Sequence, residues 1–90
     1  MIGMFAVSLA GHDKGQMYLV IREEGDMVYL VDGKIRKLEN PKKKKKKHLQ
    51  VVKKGIDTSL ADKLKNKQTI YNEEIKLAIK VRMNKEVAHV

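Results

Sequence analysis

One short run, Met17-Tyr18-Leu19-Val20-Ile21, constrains the fold more than any other part of the chain. Taken with a period of two, Met17, Leu19 and Ile21 share one face and Tyr18 and Val20 the other. A strand that is apolar on both faces must be covered on both, which suits the wall of a small barrel. The neighbouring segments agree. Phe5, Val7 and Leu9 alternate with smaller residues, and Gly11-His12-Asp13-Lys14-Gly15 is rich in turn formers. Glu23-Glu24-Gly25-Asp26 has the pattern of a hairpin leading into a strand from Met27 to Val31. Asp32-Gly33 signals a tight turn, and Ile35 and Leu38 suggest a fourth strand around Lys34, Arg36 and Lys37. Asn40-Pro41 should end that strand, because proline has no amide hydrogen for a ladder. Lys42 to Lys47 then reads as a loop, and His48 to Val52 as a last strand with Leu49 and Val51 inward. Five short strands in about fifty residues predict a small antiparallel barrel.

The period then changes. Gly55 breaks the strand pattern, and Asp57, Thr58 and Ser59 offer N-cap oxygens for a helix carrying Leu60, Ala61 and Leu64, ending near Asn66. Asn72 can cap a second helix, with Glu73 and Glu74 suited to its positive end. There Ile75, Ala78, Ile79 and Met83 fall on one face, with a frayed tail expected from Glu86 to Val90. The fold class expected is therefore mainly β with α, with a barrel over 1–54 and a helical extension over 55–90.

Charge is concentrated in one block. The 90-residue chain has a formal net charge of +9. Eleven of its 20 basic residues lie between Lys34 and Lys54: Lys34, Arg36, Lys37, Lys42 to Lys47, Lys53 and Lys54. Only Glu39 opposes them there, so the rest of the chain is almost neutral. Such a block repels itself and calls for an anionic partner. Lysine is a compact point charge, suited to phosphates more than to base edges, so on a nucleic acid the fork donors such as Arg36, or the partner's shape, must supply any specificity.

Other classes find little support. With no cysteine there is no disulfide framework and no thiolate metal site, a composition that fits a reducing, cytoplasmic compartment. No apolar run approaches the roughly 18 residues of a bilayer span, so no membrane partner is expected. The apolar start, Met1 to Leu9, lacks the pattern of a signal peptide. His12, His48 and His89 lack metal-ligand spacing, and no nucleophile or phosphate-loop motif is present. The expectation is a protein that is not an enzyme, with no cofactor and no small-molecule substrate. Aromatic residues are few (Phe5, Tyr18, Tyr29 and Tyr71), so no extensive stacking platform is expected.

Three blocks in order resemble a known family. Ser8-Leu9-Ala10-Gly11-His12-Asp13-Lys14-Gly15 looks like the loop of a KOW motif, Val28 to Leu38 continues it, and Asn40 to Gln50 completes it. The chain resembles the small bacterial KOW-domain RNA-binding proteins, which are similar to a large-subunit ribosomal protein family of archaea and eukaryotes. The resemblance covers residues 4 to 52. It implies an SH3-like barrel whose loops contact RNA, often rRNA, with ribosomal proteins as possible neighbours and translation as the setting. Carried onto this chain, it implies contacts from Gly11, His12, Lys14 and Gly15, from Lys34, Arg36 and Lys37, from Lys42, Lys43, Lys44, Lys45, Lys46 and Lys47, and from His48. The family usually has arginine where this chain has His12, which makes a phosphate contact there weaker and pH-dependent. Asp13 is expected to stabilise its own turn. Replacing Lys42 to Lys47 with alanine should nearly abolish RNA binding and leave the circular dichroism unchanged. Two other readings stand beside this one: a protein-interaction adaptor docking a partner on Ile75, Ile79 and Met83, and non-specific binding of duplex DNA.

Overall fold

The structure, a computed structural model, describes residues 1–52 and 58–87. Lys53, Lys54, the Gly55 break, the Asp57 cap and His89 lie outside the described residues. The strands are β1 (Phe5–Ser8), β2 (Met17–Glu24), β3 (Met27–Val31), β4 (Lys42–Lys45) and β5 (Leu49–Val52), followed by helices α1 (Thr58–Lys65) and α2 (Asn72–Val87). A single turn of 3-10 helix, Lys46–His48, joins β4 to β5. All strand pairs are antiparallel, in the order β4-β3-β2-β1-β5.

That order has a geometric consequence. Strands β4 and β5 are opposite edges of one sheet, yet three residues connect them. Laid flat, five strands would hold their edges about 19 Å apart, whereas four consecutive Cα–Cα steps reach about 14 Å at most. The sheet must therefore curl. Its pairings do not join β4 to β5, so it curls without hydrogen-bonded closure among the described residues.

The two faces of β2 are apolar as the alternation predicted. Phe5, Met17, Leu19 and Val31 pack with Leu60, Ile75 and Ile79 of the helices. The opposite face holds Ala6, Tyr18, Val20, Val28, Leu30 and Leu49, with Met1 packed against it and no helical residue. Among the described residues, the curled sheet and Met1 enclose that second cluster. Each large buried side chain contributes roughly 1.5–3 kcal/mol, so both clusters matter to stability.

A bulge divides β2. Val20 pairs with Leu30 and Arg22 with Tyr29, which leaves Ile21 as the extra residue. In a regular strand Arg22 would share the enclosed face of Val20. The bulge turns it to the outer face beside Tyr29, with its guanidinium carbon 5.3 Å from the ring centroid.

Three expectations require correction. The segment around Ile35 and Leu38 is not a strand: residues 33–36 form a bend, and Ile35 is 80% exposed. The Asp32 carboxylate explains this. Its Oδ1 accepts the amides of Lys34, Ile35 and Arg36 at 2.8, 2.9 and 2.8 Å, satisfying donors that would otherwise need a ladder. The lysine run is not a loop: Lys42–Lys45 is the fourth strand, with Lys42 opposite Leu30 and Lys44 opposite Val28. Asn72 does not cap α2, because its Oδ1 accepts the Leu38 amide at 2.8 Å and its Nδ2 donates to Glu39 at 3.0 Å. Glu74 supports that helix start instead, accepting the Tyr71 amide at 2.9 Å.

The helices seat against the sheet through glycine. A Cβ at Gly33 would lie 2.2 Å from the Asn72 carbonyl oxygen, so only a bare backbone lets the first turn of α2 rest there. Its φ of +76° also favours glycine. Helix α1 buries Leu60 and Ala61 as expected and ends where Lys67 adopts a φ of 56°. In α2, Ile75 and Ile79 are buried and Ala78 is half-buried, while Met83 is 48% exposed. The helix continues through Glu86 and Val87, where fraying was expected. No helix among the described residues is long and apolar enough to cross a membrane.

Candidate nucleic-acid interface

A strand places successive side chains on opposite faces, which sorts Lys42 to Lys45 into two sets, and the 3-10 turn that follows sends Lys46 and Lys47 different ways. Lys42, Lys44 and Lys46 turn toward acids of the same chain. Lys44 is 9% exposed, and its Nζ donates to Asp13 Oδ1 at 2.7 Å, Ser8 Oγ at 2.6 Å and the Ala10 carbonyl at 2.9 Å. Lys42 Nζ lies 2.9 Å from the other Asp13 oxygen. Lys46 Nζ lies 2.8 Å from Glu23 Oε2, and the Met1 ammonium pairs with Glu23 Oε1. Lys43, Lys45 and Lys47 are exposed, and none has an acidic partner among the described residues.

Asp13 is the centre of the inward set. Besides the two ammoniums it accepts the Tyr18 hydroxyl at 2.8 Å and the Ser8 hydroxyl at 2.9 Å. Burial by itself pushes this carboxyl up. The hydrogen bonds from Lys44, Lys42, Tyr18 and Ser8 outweigh it and hold Asp13 well below the usual carboxylate range. Tyr18 moves the other way: its burial and its anionic neighbour push the phenol up, so it stays a neutral donor. Glu23 is drawn down to about 2, first by Lys46 and then by the amino terminus. Asp13 was expected to serve its own turn, and its backbone carbonyl does accept the Gln16 amide at 2.9 Å. Its carboxylate, however, ties the loop between β1 and β2 to a strand 31 residues away.

The other expected contacts fall around this node. Gly11 and Gly15 have φ of +86° and +91°, as the tight loop required, and lie exposed with His12 and Lys14. That loop stands beside the start of β4, since a Cβ at Gly11 would be 4.0 Å from Lys44 Nζ. Lys34 and Lys37 are exposed on the β3–β4 connection, where Arg36 is half-buried. His48 is half-buried, and its carbonyl accepts the Leu9 amide at 2.9 Å. The structure thus joins the glycine loop to the lysine strand, but it does not present all six ammoniums on one rim.

Two residues outside the expected set belong to the exposed face. Arg22, Tyr29 and Lys43 lie opposite one another across β2, β3 and β4. Lys43 Nζ is 5.7 Å from the Tyr29 ring centroid, facing it with Arg22. Glu24 tempers this group, 2.5 Å from Arg22 and 3.1 Å from the Tyr29 hydroxyl. Exposed cations around a half-buried ring can meet a phosphate chain and a base face together. Nothing in the local sequence singles out Arg22, because the bulge that turns it outward arises from pairing. No cluster of three or more His, Asp or Glu side chains able to hold a metal occurs among the described residues.

No model of a known protein family matches this chain, and no curated protein matches it.

Proposed function

We propose that this protein binds RNA, as a KOW-type domain whose curled sheet is an SH3-like barrel, and that it contacts rRNA or another structured RNA at the ribosome or elsewhere in translation. One observation carries this reading. Lys43 and Lys45 on the edge strand β4, and Lys47 in the 3-10 turn that follows it, stand exposed without acidic partners among the described residues. An edge strand of lysines resists pairing with other chains and leaves its charge for a polyanion. The arrangement favours backbone recognition of structured RNA, with no catalytic role, cofactor or membrane partner assigned. The adaptor reading loses most of its docking face, because Ile75 and Ile79 are committed to the chain's own core.

The test is the salt dependence of binding to an rRNA fragment. If Lys14, Lys34, Lys37, Lys43, Lys45 and Lys47 each meet a phosphate, affinity falls by roughly 10³ between 50 and 200 mM salt. If only Lys43, Lys45 and Lys47 do, the fall is roughly 40-fold. Affinity that is flat over this range refutes the proposal. A parallel titration with duplex DNA that matches the RNA affinity at fixed salt would replace it with charge-driven binding of any nucleic acid.

A further inference from the structure

A cavity of about 360 Å³ lies between the start of β2 and the outer half of α2, within the roughly 300–1,000 Å³ range of small-molecule sites. Its apolar lining includes Met17, Ile79 and Met83, and Lys34, Lys76 and Lys80 contribute cations. All three lysines are exposed, and none has an acidic partner among the described residues. Asp32 also lines the cavity, but its Oδ1 already serves three backbone amides. The site therefore offers a soft apolar floor beneath a net positive rim.

We propose that this cavity binds one unpaired nucleotide of the RNA, its base on the methionine floor and its phosphate among the three ammoniums. The inference rests on the RNA-binding reading and adds a second site to it, between β2 and α2. Two thioethers make polarisable, adaptable contacts that favour a flat aromatic ring over a branched aliphatic one. Ammoniums without fork geometry suit a phosphate. Lys34 connects the two surfaces, since it lies on the β3–β4 connection that leads into the lysine strand. An unpaired base adjoining a helix held on the lysine face would give the protein a preference for bulged or looped RNA that phosphate contacts alone cannot supply.

The chain's five methionines supply the assay. Methyl-labelled Met17 and Met83 report on the cavity, and Met27, opposite Lys45 on the outer face, reports on the lysine strand. Two RNAs are titrated: a hairpin carrying a single-nucleotide bulge, and the same hairpin fully paired and closed by a tight loop. The expected result is that both shift Met27 and only the bulged RNA shifts Met17 and Met83. The double variant Lys76→Ala/Lys80→Ala, on the exposed side of the helix, should weaken the bulged RNA by roughly 25-fold at 0.1 M salt and leave the paired one unchanged. Shifts of Met27 alone with both RNAs overturn this inference and leave the RNA-binding reading standing. Equal Met17 and Met83 shifts with both RNAs also overturn it, as does a stronger response to an acidic peptide. A spectrum in which no methyl moves with either RNA overturns both.

Discussion

Replacing Lys44 with alanine and replacing Lys43, Lys45 and Lys47 with alanine should give opposite outcomes, although all four residues belong to one lysine run. Lys44 is 9% exposed and donates to Asp13, Ser8 and Ala10 within 2.9 Å. Its removal leaves the Asp13 carboxylate in a largely buried site with Lys42 as its remaining cation. Breaking a buried pair in this way costs about 3 kcal/mol. A domain of this size has only about 5–13 kcal/mol in all, so the melting temperature should fall by about 12–24 °C. RNA affinity, measured well below that transition, should hardly move, because the Lys44 ammonium was never available to a phosphate. The outward triple variant should melt like the parent. It should lose affinity by roughly 500-fold at 0.1 M salt, and the slope of log K against log salt should become shallower by about 2.7. Thermal melts followed by circular dichroism and anisotropy titrations at several salt concentrations measure both quantities. If Lys44→Ala melts like the parent and loses the roughly eightfold affinity of one phosphate contact, the sorting of the run by strand alternation is wrong.

Acid should unfold the protein through the same node. Asp13 is held below the usual carboxylate range and Glu23 is lowered from 4.5 to about 2, so each contributes stability that is complete above its ordinary pKa and lost as the pH falls through its folded value. Urea midpoints should therefore drop between about pH 4.5 and 2, and Asp13→Asn should flatten that dependence; an unchanged profile in the variant would exclude Asp13 as its source. Gly33→Ala forces a Cβ against the Asn72 carbonyl and a φ of +76° on an L-residue. It should cost at least about 2 kcal/mol, seen as a lower urea midpoint, and a neutral result would mean that α2 does not rest on this turn. Tyr29→Ser removes the ring between Arg22 and Lys43 and should weaken RNA by about 1–3 kcal/mol with little change in fold. An unaltered titration would confine recognition to phosphates.

Much of the scaffold was legible from local pattern. The alternation of Met17 to Ile21 predicted a strand buried on both sides, and both faces carry a core. The turns at Gly11–Gly15 and Asp32-Gly33, and the helical period of Ile75, Ala78 and Ile79, were likewise visible in composition and spacing; the loop expected over Glu23 to Asp26 is shorter, because Glu23 and Glu24 still pair with Val28 and Met27. The fourth strand was misplaced because its two candidates carry opposite local signals. Ile35 and Leu38 resemble strand residues, but the Asp32 side chain captures the amides between them. The lysine run has no alternation of residue type at all, so its two faces become different only when Asp13 and Glu23 arrive from elsewhere in the chain.

The candidate site divides along the same line. Sequence alone determined that the chain carries one block of positive charge and one glycine-rich loop, because charge and backbone freedom belong to residues individually; that the two meet was decided when Lys42 and Lys44 reached Asp13. Which ammoniums remain free for a polyanion was decided only in three dimensions. Desolvating Lys44 is tolerable because a distant carboxylate and a hydroxyl meet it, and the bulge at Ile21 is what turns Arg22 toward Tyr29. Such partnerships join residues up to 36 positions apart. No local periodicity encodes them, since they follow from how the strands pair and how the sheet curls.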